Sequence, residues 1–111
     1  KARTDDRRDS PAVDIVQRMV AEGAHVRVFD PTVTAPIAEF PTGVEICPDA
    51  YAVCDGAAAV VVLTEWEEFR WLDFTKVRDL LAEPSVVDAR NLLDPTALRR
   101  AGFTYVGVGR P

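Results

Sequence analysis

Arginine recurs in stretches that are expected to follow the strands of a parallel sheet. The stretches are KARTDDRRDS at the start of the chain, DARN at residues 88–91 and GVGR at residues 107–110. A guanidinium group offers five N–H donors in a planar fork that matches phosphate oxygens in pairs, so this pattern is typical of a site for a phosphorylated small molecule. Ordinary surface salt bridges would use the same side chains, and spacing alone slightly favours that simpler explanation.

Other residues with chemical potential have no suitable neighbours in the sequence. Cys47 and Cys54 have no adjacent base that would activate a thiol and no surrounding ligand cluster, so neither a nucleophile nor a metal site is expected. His25 follows a predicted helix end and is interpreted as a structural residue. The glutamates at 65, 67 and 68 are interpreted as the solvated, dipole-favoured start of a helix. The sequence has no GxGxxG or GxxxxGK loop, so it is not a complete dinucleotide-binding or P-loop domain by motif.

The composition favours a soluble globular domain and excludes several classes of partner. The chain has 111 residues, 48% of them apolar and 28% charged, with a net charge of −5. An acidic chain lacks the clustered cations that a sequence-independent nucleic-acid binder needs. No apolar run is long enough to span a membrane, and the first residues do not resemble a signal peptide. Two cysteines without a clear pairing partner favour free buried thiols, and hence a cytoplasmic protein.

Hydrophobic periodicity predicts helices and strands in alternation. The predicted elements are a helix from Ser10-Pro11 to Gly23, a strand at HVRVFD, a loop or short helix at 32–43, a strand at 44–46, a helix at 49–55, an unbroken apolar strand at 57–64, one or two helices at 65–83, a strand at 85–88, a helix at 95–101 and a strand at 103–109. Alternation of this kind predicts an α/β, Rossmann-like three-layer domain of 1–111 with a mostly parallel sheet. Right-handed crossovers require a strand before the first helix, so we expect the first strand to lie upstream of Lys1.

Five segments, taken together and in order, resemble one known family. The segments are KARTDDRRDSPA, GAHVRVFDP, LTEWEEFRWLDF, VVDARNLLDP and GFTYVGVGR. In this order they are similar to the C-terminal domain of the UDP-glucose/GDP-mannose dehydrogenases, and most similar to the UDP-glucose 6-dehydrogenase branch. The similarity covers nearly the whole chain, although the phenylalanine that begins the family's first motif is absent here.

The resemblance implies a function that the residues alone do not. Family members oxidise the C6 alcohol of a nucleotide sugar to a carboxylate with two NAD molecules in succession. They combine an N-terminal Rossmann domain, a long central helix that mediates dimerisation, and the C-terminal domain. The resemblance therefore implies a UDP-sugar substrate, NAD as cofactor and a homodimer or higher assembly. It also implies that the catalytic cysteine lies outside these 111 residues and that the isolated domain is inactive.

Three positions match ligand-binding residues of the family. The resemblance implies that Lys1 and Arg90 bind the UDP-sugar and that Arg8 reaches NAD across the domain cleft. Asp5 and Asp6 would orient these cations. No catalytic residue and no metal ligand is implied within the chain.

Two alternatives remain open at this stage. The same domain could serve a UDP-N-acetylmannosamine, UDP-N-acetylglucosamine or GDP-mannose dehydrogenase, because most of the sugar-selecting pocket is expected outside these residues. A non-catalytic α/β module for binding or oligomerisation would have the same pattern of elements. Such a module predicts that the arginines at the sheet edge are dispensable.

Overall fold

A computed structural model describes residues 11–108, and these residues divide into two compact units, 11–53 and 54–108. Four short elements belong to the first part of the chain, and they are α1 (Pro11–Ala21), β1 (Arg27–Val28), β2 (Glu45–Ile46) and α2 (Ala50–Cys54). The second unit contains β3 (Val60–Val62), a 3₁₀ turn (Glu67–Trp71), α3 (Phe74–Leu80), β4 (Ser85–Asp88), α4 (Pro95–Arg100) and β5 (Thr104–Gly107). The alternation of helices and strands confirms the predicted α/β class.

Helix α1 begins and ends where its sequence predicts. Pro11 is the first helical residue, a position where the missing N–H costs nothing. At the other end Gly23 has a φ of +96°, a left-handed conformation that only glycine adopts cheaply. The amide of Gly23 donates to the carbonyl of Val20, and the amide of Ala24 donates to that of Met19. This pair of bonds is the Schellman arrangement that closes a helix C-terminus.

The unit of residues 11–53 also contains a two-stranded parallel sheet. Arg27 pairs with Glu45 and Val28 with Ile46. Beyond this sheet, the carboxylate of Asp49 accepts hydrogen bonds from the amides of Tyr51 and Ala52 and so caps α2. The segment between β1 and β2 has no helix, so the structure selects the loop from the two predicted possibilities, a loop or a short helix.

The unit of residues 54–108 is built on a three-stranded parallel sheet in the order β3-β4-β5. Helix α3 connects β3 to β4, and α4 connects β4 to β5. Asp73 and Asp94 cap these two helices, each accepting from two backbone amides of the first turn. Both connections are the crossovers that parallel strands require.

Burial differs between the two faces of this sheet. Val86 and Tyr105, which are register partners, are 1% and 4% exposed. Val106, on the opposite face of β5, is 54% exposed. The apolar run 57–64 was expected to be a strand covered on both faces, but β3 includes only three of its residues, and Val60 and Val61 are only partly buried. Among the described strands β3 pairs with β4 alone, which accounts for the incomplete burial.

Candidate functional site at the carboxyl edge of the sheet

The carboxyl ends of the three strands are aligned in the unit of residues 54–108. Val62 pairs with Asp88, and Asp88 pairs with Gly107. The loops that follow β3, β4 and β5 therefore leave the sheet at the same level. In open α/β sheets this edge is where ligands bind.

Asp88 organises the loop that leaves β4. Its side chain is fully buried, with 0% exposure. One carboxylate oxygen, Oδ1, accepts from the amide of Arg90 at 3.1 Å. The other, Oδ2, accepts from the amide of Leu93 at 2.7 Å and from the hydroxyl of Tyr105 at 2.9 Å. Three donors compensate much of the cost of burying the carboxylate, and they fix the backbone on both sides of Asn91.

The turn itself depends on Asn91 and on the glycine opposite. Asn91 has a φ of +53°, a left-handed conformation that asparagine tolerates better than most residues. Its side-chain amide donates to the carbonyl of Val108 at 2.7 Å and ties the β4 loop to the end of β5. A Cβ atom on Gly107 would lie 2.9 Å from Oδ1 of Asn91 and 2.9 Å from the hydroxyl of Tyr105. Only glycine fits at this point of close approach.

The backbone at Arg90 is therefore fixed by hydrogen bonds to the buried carboxylate of Asp88. Its guanidinium lies at the edge of the sheet, where its Nη2 atom contacts Oε2 of Glu65 at 3.0 Å. The two side chains are 36% and 46% exposed, so both can be reached by a ligand from solvent. Glu65 belongs to the loop after β3, so the ion pair joins the ends of neighbouring strands.

A second arginine, Arg99, contacts Tyr105, which is one of the three donors to Asp88. Arg99, on α4, places its guanidinium 5.6 Å from the centre of the Tyr105 ring and donates to the carbonyl of Tyr105 at 3.3 Å. Asp94 begins α4 directly after the β4 loop. The Asp94 cap and the Arg99–Tyr105 contact therefore stabilise the β4 loop and the end of β5, which the buried Asp88 side chain also joins.

The structure describes one of the three predicted site residues, Arg90. Arg90 lies at the carboxyl edge, as the loop pattern predicts. Lys1 and Arg8 lie outside the described residues, as do Asp5 and Asp6. Asp88 was not singled out by sequence reasoning, although a carboxylate at the end of an apolar strand followed by a polar turn is a signal that could have found it.

The glutamates after β3 differ from the interpretation given by their sequence. Glu67 and Glu68 do begin the 3₁₀ turn as acidic residues of its first turn. Glu65 precedes that turn and pairs with Arg90 instead. The sequence interpretation missed this because the pair joins residues from two different loops.

Cys47 and Cys54 are buried thiols that form no disulfide, as predicted. Burial raises the pKa of the Cys47 thiol, with the nearby carboxylates of Glu45 and Asp49 acting in the same direction and Arg27 opposing them. A thiol held protonated in this way is a poor nucleophile. Cys47 also contributes to the wall of an open depression of about 480 Å³ in the unit of residues 11–53.

Residues 11–108 offer neither a metal-binding cluster nor a membrane-spanning helix. That part of the chain contains no group of three or more histidine, cysteine or acidic side chains arranged to hold a metal ion. Its longest helix is α1, and none of its helices has the length and apolar character needed to cross a bilayer.

Parallel strands joined by helical crossovers, with an arginine at their carboxyl edge, define an α/β domain of the open-sheet class that binds small ligands. Residues 1–95 match the family model described as the UDP-glucose/GDP-mannose dehydrogenase family, UDP binding domain. The chain therefore belongs to this family, which confirms the predicted resemblance, and the matched range contains the first four of the five segments.

Individual relatives agree with this assignment. The chain is 38% identical to the UDP-glucose 6-dehydrogenase of Pseudomonas aeruginosa and 38% identical to that of Rhizobium meliloti, and each alignment covers 100% of the chain. These alignments cover 26% and 25% of the two relatives, so the chain spans about a quarter of their length. Among solved structures, it resembles the NDP-N-acetyl-D-galactosaminuronic acid dehydrogenase of Methanosarcina mazei Go1, with a TM-score of 0.75 and 31% identity. That likeness covers 90% of this chain and 20% of the other.

Proposed function

We propose that this chain is the UDP-sugar-binding domain of an NAD-dependent UDP-glucose 6-dehydrogenase. The observation that carries the proposal is the position of Arg90, at the carboxyl edge of the sheet in a chain that matches the family's UDP binding domain. The relatives that cover all 111 residues are named UDP-glucose 6-dehydrogenase, which supports the choice of sugar. The whole protein would convert a primary alcohol, two NAD⁺ and water into a carboxylate, two NADH and three protons.

In this proposal Arg90 binds the anionic nucleotide sugar. A guanidinium group offers donors in a fixed fork, which suits oxygen-rich anionic ligands. The buried carboxylate of Asp88 holds the backbone amide of Arg90, so the side chain starts from a defined place. Lys1 would add a second cation to the same ligand, as its position in the family motif implies.

NAD binding and the nucleophilic cysteine are proposed to involve residues outside the described site. Arg8 would contact NAD, which is bound mainly by an N-terminal domain beyond this chain. When bound, NAD accepts the hydride in each of the two oxidation steps. The nucleophilic cysteine would also be supplied from outside these residues, since Cys47 is buried with a raised pKa and Cys54 is buried.

The proposal extends to the assembly and its location. The partners of this domain would be the enzyme's own N-terminal domain and central helix, in a homodimer or a higher oligomer. Two cysteines that form no disulfide suit the reducing environment of the cytoplasm. Sedimentation of the full-length protein would test the oligomeric state.

The test of the substrate role compares two arginines in the full-length protein. Arg90→Ala removes the proposed ligand contact, whereas Arg70→Ala removes an arginine that pairs with Glu67 in a similarly exposed setting. Loss of a charge-assisted hydrogen bond is worth ~1.5–3 kcal/mol, so KM for UDP-glucose should rise about 10- to 150-fold in the first variant. The Arg70 variant should retain the parental KM. An unchanged KM after Arg90→Ala would favour the non-catalytic module instead.

One observation favours a second candidate, a dehydrogenase of an N-acetylated nucleotide sugar. One solved structure that the chain resembles is an NDP-N-acetyl-D-galactosaminuronic acid dehydrogenase. NADH formation by the full-length protein should be compared for UDP-glucose, UDP-N-acetylglucosamine, UDP-N-acetylmannosamine and GDP-mannose. The highest kcat/KM for UDP-glucose is the expected result, and a preference for an N-acetylated sugar would replace the first candidate by the second.

A further inference from the structure

The contact between Glu65 and Arg90 involves the guanidinium atom most useful to a phosphate. A guanidinium can grip an oxyanion in pairs either through Nη1 and Nη2 or through Nε and Nη2, so Nη2 belongs to both edges. The 3.0 Å contact of Glu65 is made to Nη2. A carboxylate at this atom therefore competes with a ligand for either paired grip.

The backbone at Arg90 is held by bonds other than this contact. The amide of Arg90 donates to the buried carboxylate of Asp88, and the amide of Leu93 holds the other side of the turn to the same group. These bonds fix the backbone, while the ion pair joins two partly exposed side chains. An exposed pair of this kind adds little stability, so it can be exchanged for another anion at low cost.

From this geometry we infer that Glu65 is an internal counter-ion, which occupies Arg90 in the empty site and is displaced when the anionic ligand binds. The inference rests on the proposed function, because it takes Arg90 to be the ligand contact. It makes Glu65 a residue that sets the affinity and the charge selectivity of the site. A ligand with a diphosphate can outcompete one carboxylate, whereas a neutral sugar cannot.

The size of the effect follows from simple electrostatics. A ligand anion that replaces Glu65 on Arg90 would still lie near the displaced carboxylate, and at this exposure most of the repulsion between the two is screened by water. Removal of the carboxylate charge should therefore tighten binding of a nucleoside diphosphate about fivefold at low salt. The gain should shrink as salt is added, because the screening length falls from roughly 30 Å at 0.01 M to about 8 Å at 0.15 M.

The test measures UDP binding to the full-length protein by titration calorimetry. Glu65→Gln keeps the length of the side chain and removes its charge. Glu67→Gln is the matched control, because Glu67 lies two residues away, is exposed and pairs with Arg70 rather than with Arg90. Both single variants are then combined with Arg90→Ala.

The expected result is a Kd for UDP about fivefold lower in Glu65→Gln at low salt, with at most a minor change in Glu67→Gln. In the Arg90→Ala background the Glu65 substitution should change the Kd far less, since there is no arginine left to release. An unchanged Kd in Glu65→Gln would overturn the inference. A higher Kd would also overturn it and would mean that Glu65 orients Arg90 for the ligand. Arg90→Ala by itself tests the proposed function, so failure of one claim is distinguishable from failure of the other.

Discussion

The close approach at Gly107 gives the sharpest prediction for the integrity of the site. Gly107→Ala places a methyl group 2.9 Å from Oδ1 of Asn91, 2.9 Å from the hydroxyl of Tyr105 and 3.1 Å from Cε2 of the same ring. Real Cβ atoms do not approach other heavy atoms this closely, so Tyr105 or Asn91 must move. Tyr105 is buried with 4% exposure and cannot turn into solvent without opening the sheet edge.

The cost can be worked from the contacts that are lost. Overpacking in a well-packed region costs about 1–3 kcal/mol. Displacing the Tyr105 hydroxyl also weakens its 2.9 Å hydrogen bond to Asp88, and a bond to a charged group is worth ~1.5–3 kcal/mol. Since these losses overlap, we expect a local destabilisation of ~2–4 kcal/mol, which corresponds to about 30- to 700-fold faster amide exchange where the loop opens.

Hydrogen–deuterium exchange of the full-length protein is the appropriate assay. The amides of Arg90 and Leu93 both donate to Asp88 and should lose protection together in Gly107→Ala. The amide of Ala24, which lies in the other unit and closes α1, is the internal reference.

A second variant separates collision from a general loss of stability. Tyr105→Phe removes one of the two oxygens that the new methyl group meets. The destabilisation of the double variant Gly107→Ala/Tyr105→Phe should therefore be smaller than the sum of the destabilisations of the two single variants. Parental exchange at Arg90 and Leu93 in Gly107→Ala, or strictly additive effects in the double variant, would refute the reasoning.

Further variants test separate parts of the chain. Asp94→Ala removes the cap of α4 and should lower the free energy of unfolding by about 1 kcal/mol, measured by denaturant titration, with Asp94→Asn losing much less. Replacing both Cys47 and Cys54 by serine should leave dehydrogenase turnover within about twofold, and a complete loss of turnover in a folded variant would contradict an external nucleophile. Because the pKa of Cys47 is raised, its thiol keeps the proton to higher pH in the folded protein than in the unfolded chain. The contribution of this thiol to the free energy of unfolding is therefore fully present below the unfolded pKa and is lost as pH rises through the folded pKa. Cys47→Ser should accordingly flatten the alkaline loss of stability, and an unchanged profile would contradict this. Arg8→Ala should raise the KM for NAD about tenfold or more while changing the KM for UDP-glucose less, and the reverse pattern would reassign Arg8 to the sugar.

Local patterns predicted much of this fold because their causes are local. The helix that begins at Pro11 and closes at Gly23 follows from one proline and one glycine with fixed backbone preferences. The strand Ser85–Asp88 was predicted at its observed bounds, since a short apolar run between a proline and a polar turn has few alternatives. The length of β3 was overestimated because an apolar run does not show which of its residues will have a neighbouring strand.

The site was only partly predictable, because its contacts join distant residues. Its place at the end of an apolar strand marks Asp88 as a candidate, but charged residues are almost never fully buried, so its complete burial does not follow from the sequence. The three donors that make its burial tolerable come from positions 90, 93 and 105, and the last of these depends on the pairing of β4 with β5. The Glu65–Arg90 contact likewise depends on the pairing of β3 with β4, which no local pattern specifies.

Asp88 and Glu65 act on Arg90 by different means, and this difference is itself testable. Asp88 is buried and bonds to the backbone, so Asp88→Asn should speed amide exchange throughout the β4 loop and weaken ligand binding with little dependence on salt. Glu65 is exposed and bonds to the side chain, so Glu65→Gln should leave loop exchange unchanged and alter affinity in a salt-dependent way. Measuring both observables in both variants therefore separates the geometry of the site from its charge. Equal salt dependence in the two variants would mean that the carboxylates act through one common effect, and the separation of roles would be wrong.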